Sequence, residues 1–359
     1  MDLSSYEFTA SDPAWSAIAS ILPSVVDPIT LPDMLIDQDA IYRACEVFGL
    51  PSVLGLEVGL PPSLIGAGAS YQVYAQKLDE WDRMVAVKHI RSAVSRGNIE
   101  EVPSAWIQQA TVLREIYSLC LFNDHPNFVT LLAWGTRGVG SDINLFLVTD
   151  FAPLGSLDCF LREHGSKLVA SQLLKICADI AEGVQAMHSQ RMAHGDVKTA
   201  NVLIFEDPRD KEQYTAKISD LGFSLSLDFD EPEANYRGTD LYNAPEIRGQ
   251  RSTRLRDLDA LACDVYSFGL LVWTVLKLGR FFLGDVPDLT LHGKGNVEVR
   301  DAVEASQLLE YAMEFAQSGI PQCEAEMVGR LFSGSLQVDP SSRLPMKSLC
   351  AIFPPIYRQ

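Results

Sequence analysis

The sequence predicts an α+β, bilobal chain: a small antiparallel-sheet lobe followed by a large helical lobe. Two observations carry this. Across residues 63–87, short apolar runs flank a glycine-rich break, the pattern of a hairpin, and Val85-Ala86-Val87 continues as strand. Beyond Gly155, apolar residues recur near a period of 3.6, as in helices that bury one face. The length of 359 residues leaves room for ample buried core and, as a soft prior, for two or three domains of ~150 residues.

In chain order, residues 1–59 form an acidic N-terminal extension broken by Pro13, Pro23, Pro28, Pro32 and Pro51, so helices there must be short. One is expected over residues 39–48, and the segment is read as a brace packed on the small lobe, with an autoinhibitory or docking element as the alternative. Residues 60–152 make the sheet lobe. Within it, residues 104–122 carry Ile107, Ala110, Val112, Leu113, Ile116, Leu119 and Cys120 at helical spacing, and residues 145–148 return to strand. Residues 153–359 make the helical lobe, with helices expected over 157–164, 171–189, 264–278, 303–316 and 324–332. No internal repeat is visible.

Composition removes several function classes. With 47% hydrophobic and 21% charged residues the chain is an ordinary globular one. A net charge of −18 repels nucleic acid and anionic lipid, so no nucleic-acid partner is expected. The seven cysteines are scattered without a Cys-x-x-Cys pair, which indicates neither a disulfide framework nor a zinc cluster. The first thirty residues hold four acidic and no basic side chains, unlike a signal peptide. The most apolar run, residues 265–276, is too short for a membrane span. These features set a cytoplasmic expectation, with the nucleus as the variant.

Chemistry-bearing residues occur in a fixed order. Gly66-Ala67-Gly68 lies between two strand-like runs, where glycine lets backbone N–H groups approach phosphate oxygens and Val73 can cover an adenine ring. Alone, this turn reads more readily as a plain hairpin. Lys88 closes the strand 85–88, placed for a nucleotide's phosphates if Glu115 in the following helix fixes its ammonium. Later, His194-Gly195-Asp196-Val197-Lys198 leads to Asn201: Asp196 can accept a hydroxyl proton, Lys198 can neutralise a transferring phosphoryl group, and Asn201 can offer oxygen to a metal. Asp220, at a turn with Gly222, adds a carboxylate of the kind magnesium prefers.

This order, closed by Ala244-Pro245-Glu246, resembles the signature set of eukaryotic protein kinases over residues 60–359. The resemblance implies ATP and Mg2+ as cofactors and a protein substrate as partner. It implies that Lys88 pairs with Glu115 at the phosphates, that Asp196 is the catalytic base, and that Asn201 and Asp220 are metal ligands. Thr149 would be the gatekeeper, with the backbone of Asp150 to Ala152 meeting adenine between Val73, Ala86 and Leu203. Asp264 resembles the aspartate that braces the catalytic loop, and Arg343 the partner of Glu246. Lys198 and Thr239 resemble serine/threonine-type kinases.

Three departures qualify the resemblance. Tyr71 stands where the third glycine is usual and is expected to stiffen the lid or stack over phosphate. Gly195 replaces the arginine that pairs with a phosphorylated activation loop, and Leu221 replaces a phenylalanine with little change in packing. The spacing from Lys88 to Glu115 implies an insert at residues 91–103, where Glu100 and Glu101 are rival partners. The acidic run Asp228, Asp230, Glu231 and Glu233 reads as a solvated loop, with attraction of basic substrates as the alternative. Rival readings are a small-molecule kinase of the aminoglycoside or choline type, and a pseudokinase that keeps the fold without transfer. Lys198, Gly238-Thr239 and Ala-Pro-Glu weigh against the first; the full polar set weighs against the second.

Overall fold

A computed structural model describes residues 38–54, 63–67, 71–78, 81–90, 105–137, 144–207, 210, 213–227, 235–236, 238–248, 253–254, 259–284, 295–303 and 305–358. Gly68, Glu100, Glu101, the acidic run 228–233 and residues 1–37 of the extension lie outside them. The chain divides into two compact units, one comprising residues 1–152 and 220–222, the other residues 153–219 and 223–359.

The first unit is built on a six-stranded sheet. Its elements are α1 (Gln38–Val47), β1 (Ser52–Leu54), β2 (Ser63–Ala67), β3 (Tyr71–Leu78), β4 (Arg83–Ile90), α2 (Ala105–Leu121), β5 (Leu131–Arg137) and β6 (Asn144–Asp150). The strand order is β1-β5-β6-β4-β3-β2. Five strands pair antiparallel as the sequence predicts; β1 joins in parallel on β5, an addition that the sequence reading lacked. Leu78, Val85, Val87, Ala133, Phe146 and Val148 form a core on one sheet face, where β-branched and aromatic side chains suit the pleat.

The described part of the extension, residues 38–54, is integral to this unit. Ile41, Ala44 and Cys45 on α1 are fully buried, and α1 packs on α2. The Tyr42 ring lies 5.1 Å from that of Trp134, tilted by 54°, and Trp134 bonds back to the chain leaving α1, its backbone N–H to Pro51 O and its indole N–H to Leu50 O, both at 3.1 Å. Burial of the Cys45 side chain pushes its thiol pKa up to about 12, so it sits there as a neutral apolar group.

The second unit is mainly helical. It holds α3 (Leu157–His164), α4 (Ala170–Ser189), β7 (Met192–Ala193), the hairpin β8 (Val202–Glu206) and β9 (Tyr214–Ile218), the short strands β10 (Leu225–Ser226), β11 (Asn235–Tyr236) and β12 (Thr253–Arg254), then α5 (Ala260–Leu276), α6 (Asn296–Ala302), α7 (Ala305–Ser318), α8 (Gln322–Ser335) and α9 (Met346–Cys350). The helix expected from Val303 begins at Ala305 instead, because α6 ends just before it. Helix α5 is buried almost all round, and Asp259 caps it by accepting the Ala262 N–H. Its apolar run is the one judged too short for a membrane. Among the described residues, no helix is long and apolar enough to cross one. Trp273 of α5 meets Phe282, Phe315 and Phe332, the aromatic centre of this unit.

Truncating Ile41 removes a fully buried side chain between α1 and α2. Ile41→Ala is expected to destabilise the chain by about 2–5 kcal/mol, read from the urea unfolding midpoint; a surface-like change under about 0.5 kcal/mol would show that α1 contributes no core.

Candidate active site

In the first unit, strand register decides which side chains share a face. Val73 lies opposite Lys88, Tyr71 opposite Ile90, and Ala86 opposite both Ala75 and Thr149. Alternation therefore puts Tyr71, Val73, Ala86, Lys88 and Thr149 on one side of the sheet. Ala86 and Thr149 are buried and Val73 half-buried.

Lys88 Nζ forms an ion pair with Glu115 Oε1 on α2. Glu115 is fully buried while the Lys88 side chain keeps 13% exposure. A carboxylate so buried needs a cation, and Glu115 has one. Burial pushes the Lys88 pKa down, but the charges of Glu115 and Asp220 and the bond to Glu115 outweigh it and raise the ammonium above its ordinary value. Lys88 is therefore a cation at neutral pH. The Tyr71 ring lies over it, with Nζ 4.5 Å from the centroid.

Asp220 belongs to this unit and takes the left-handed conformation, φ 58°, so the strained residue of the turn is the aspartate, whereas the sequence reading gave that freedom to glycine. Gly222 serves close approach: a Cβ there would come within 2.5 Å of Thr111 Cγ2 on α2. Leu221 is fully buried, as its apolar replacement requires. Gly66 meets no such demand, since an added methyl would rest at 3.8 Å from Val73. Ala67 is exposed and Ala152 half-buried. The Asp150 side chain accepts from Arg83 at 2.9 Å and from the Thr130 N–H at 3.4 Å, which fixes the end of β6.

In the second unit, the loop after β7 is held by a buried carboxylate. Asp264 Oδ2 accepts the His194 N–H at 2.6 Å and His188 Nε2 at 3.1 Å; Oδ1 accepts the Gly195 N–H at 3.0 Å and the Tyr236 hydroxyl at 2.9 Å. Burial raises the Asp264 pKa, but the bond to His188, the His188 and His194 charges and the His194 N–H together lower it below the ordinary value. The residue is an anion at neutral pH.

Asp196, 4% exposed, is the focus of the loop. Its Oδ1 accepts the Thr239 hydroxyl at 2.6 Å, and its Oδ2 accepts Lys198 Nζ at 2.6 Å and Asn201 Nδ2 at 3.0 Å. Lys198 Nζ also donates to Thr239 Oγ1 at 2.9 Å. Asn201 Nδ2 further bonds Asp196 O at 2.9 Å, which leaves the amide oxygen outside these bonds. That oxygen and the Asp220 carboxylate are hard donors of the type magnesium takes. Leu203 is half-buried in β8, which a bridge ties to Ser156.

Glu246 and Arg343 form a bidentate pair at 2.6 and 2.8 Å, and Arg343 also donates to the carbonyls of Ala262, Gln337 and Val338. Sequence reasoning missed His188 and Tyr236. Neither carries a local signal, for each reaches Asp264 across a long stretch of chain. The activation segment is tied further where the Gly238 N–H donates to Gly195 O at 3.0 Å.

A family model described as "Protein kinase domain" matches residues 62–352. The chain belongs to the protein kinase family. Among its curated relatives, a probable LIM domain-containing serine/threonine-protein kinase of Dictyostelium discoideum is 33% identical over 59% of this chain and 19% of its own length. The L-type lectin-domain containing receptor kinase V.5 of Arabidopsis thaliana is 31% identical over 71% of this chain and 33% of its own. The megakaryocyte-associated tyrosine-protein kinase of Mus musculus is 28% identical over 74% and 43%. This chain thus spans less than half the length of each of these three kinases.

The chain departs from the family's common loop at Gly195, whose φ is 79° and where a Cβ would fall 2.3 Å from the Phe223 carbonyl oxygen. Gly195→Ala is expected to cost more than the about 1–2 kcal/mol of the left-handed conformation alone. Gly155→Ala is the control: φ is 72°, but the nearest atom would be 3.9 Å away. Equal losses in the two variants, measured by chemical unfolding, would show that the close approach to Phe223 is not limiting.

Proposed function

We propose that the chain is an ATP- and magnesium-dependent kinase that phosphorylates serine and threonine hydroxyls of protein substrates. The observation that carries the acceptor assignment is an aliphatic hydroxyl, that of Thr239, bonded to Asp196 Oδ1 at 2.6 Å with Lys198 Nζ bonded to both groups. A substrate hydroxyl in the same relation would lose its proton to the carboxylate, while the ammonium meets charge developing on the phosphoryl oxygens. The relatives include kinases named for serine/threonine and for tyrosine, so the acceptor rests on this geometry.

Under this reading Lys88, held by Glu115, grips the nucleotide's phosphates, and Asp196 orients the acceptor and takes its proton. Asn201 and Asp220 would hold the magnesium, which supplies neutralisation of phosphate charge. Phosphoryl transfer asks mainly for such positioning and charge stabilisation. The pseudokinase reading has one observation in its favour, the Tyr71 ring over Lys88.

The deciding assay offers labelled Mg-ATP with basic protein, casein and small aminoalcohols. Label is expected on serine or threonine, reduced about 10²–10⁴-fold by Asp196→Asn and abolished by Lys88→Met in folded protein. Label on an aminoalcohol alone, or on no acceptor, would overturn the proposal in favour of the respective rival.

Regulation follows from the same loop. With glycine at 195 that position offers no guanidinium to a phosphate, and the activation segment is tied by the Tyr236 hydroxyl, the Gly238 N–H and the Thr239 hydroxyl. Phosphatase treatment is therefore expected to leave the transfer rate unchanged; a collapse of the rate would contradict this.

A further inference from the structure

The Tyr71 side chain is almost wholly buried, 5% exposed, although it opens β3 directly after the glycine-rich turn. Its register partner is Ile90, so it stands on the sheet face that carries Val73 and Lys88. There its ring covers the Lys88 ammonium, 4.5 Å from the centroid, while Glu115 takes the ammonium from another side. Two of the directions from which an anion would reach Nζ are thus filled by the chain itself. The Tyr71 hydroxyl and the Glu115 carboxylate are buried together, and burial, the Glu115 charge and a hydrogen bond to Glu115 hold the phenol pKa well above its ordinary value.

We propose that Tyr71 is a built-in occupant of the phosphate position beside Lys88, and that a nucleotide polyphosphate binds only when the Tyr71 ring turns away. The inference rests on the nucleotide-binding reading of Lys88 given above. Glycine at this point of the turn leaves the ammonium open to a phosphate oxygen. Tyrosine instead supplies a π face, which a cation accepts in place of an anion. An incoming phosphate must displace that contact, so part of its binding free energy is spent on moving the ring.

Calorimetric titration of the full chain with AMP-PNP and magnesium tests this, comparing the wild type with Tyr71→Gly, Tyr71→Ala and Tyr71→Phe. Tyr71→Gly and Tyr71→Ala are expected to bind about 5–30-fold more tightly, the range spanned by a desolvated cation–π contact, and Tyr71→Phe to bind like the wild type because the ring is kept. A second readout needs no nucleotide: acetylation of Lys88 by acetic anhydride, followed by mass spectrometry, should be faster once the ring is removed. Wild-type binding that is unchanged or weakened in both ring-less variants would overturn this proposal alone. No binding by any variant, with Lys88 unmasked, would overturn the nucleotide reading and this proposal with it. Unaltered Lys88 acetylation would show that the ring does not shield the amine.

Discussion

The second unit depends on one carboxylate. Asp264 is fully buried on an apolar helix, the costliest place for an ionised group, and it accepts four bonds from three separate stretches of chain. Removing one partner from such a network leaves charge without compensation and costs about 3–5 kcal/mol. The network can therefore adopt only conformations in which β7's following loop, the end of α4 and Tyr236 meet at that point. Asp196, Lys198, Asn201 and Thr239 inherit their positions from it. Helix α5 supplies rigidity because nearly every side chain around it is packed.

The first unit poses a different physical problem, that of presenting a cation from a sheet. The answer is a lysine on β4 held by a glutamate on α2, with α2 itself held from behind by α1. Residues 38–54 precede the stretch matched by the family model, yet they contribute buried side chains and the sheet's sixth strand. The position of Glu115 is thus tied to a segment outside the family pattern. Among relatives that this chain matches over less than half their length, the equivalent support need not have the same origin.

Much of this was legible in the sequence because periodicity is a local property. The helices at 157–164 and 171–189 show one apolar face, and the structure places α3 and α4 within one residue of those bounds. The order of lysine, glutamate, HGD, asparagine and DLG also pointed to the pairs Lys88–Glu115 and Arg343–Glu246 that the structure contains. Strand β5 was not seen. A register shift between Leu131 and Ala133 breaks its alternation, so that both Leu132 and Ala133 pack on the core around Phe146 and Val148, while Trp134 is covered by Tyr42 from the extension; the period of two disappears. Tyr236 was invisible for another reason: its bond to Asp264 spans 28 positions and leaves no trace in the residues around it. The left-handed turn at Asp220 was misread because sequence reasoning assigns positive φ to the nearest glycine, whereas close packing on Thr111 had already claimed Gly222.

Position 195 links these observations. A side chain there would have to leave a backbone at φ 79° and pass through the Phe223 carbonyl oxygen. An arginine is thus excluded by local geometry before any question of phosphate arises. The same backbone donates its N–H to the Asp264 carboxylate and accepts the Gly238 N–H at its C=O, two contacts on either side of one residue. Where an arginine would attract the activation segment only after that segment gained charge, these bonds exist in the unmodified chain. Fixed hydrogen bonds in a buried setting need no added anion and are little screened by salt. A catalytic loop built this way has given up an electrostatic switch for permanent registration. Under the proposed function control falls to another element, and Tyr71, where the first unit departs from the family pattern, stands beside the Lys88 cation assigned to the nucleotide's phosphates.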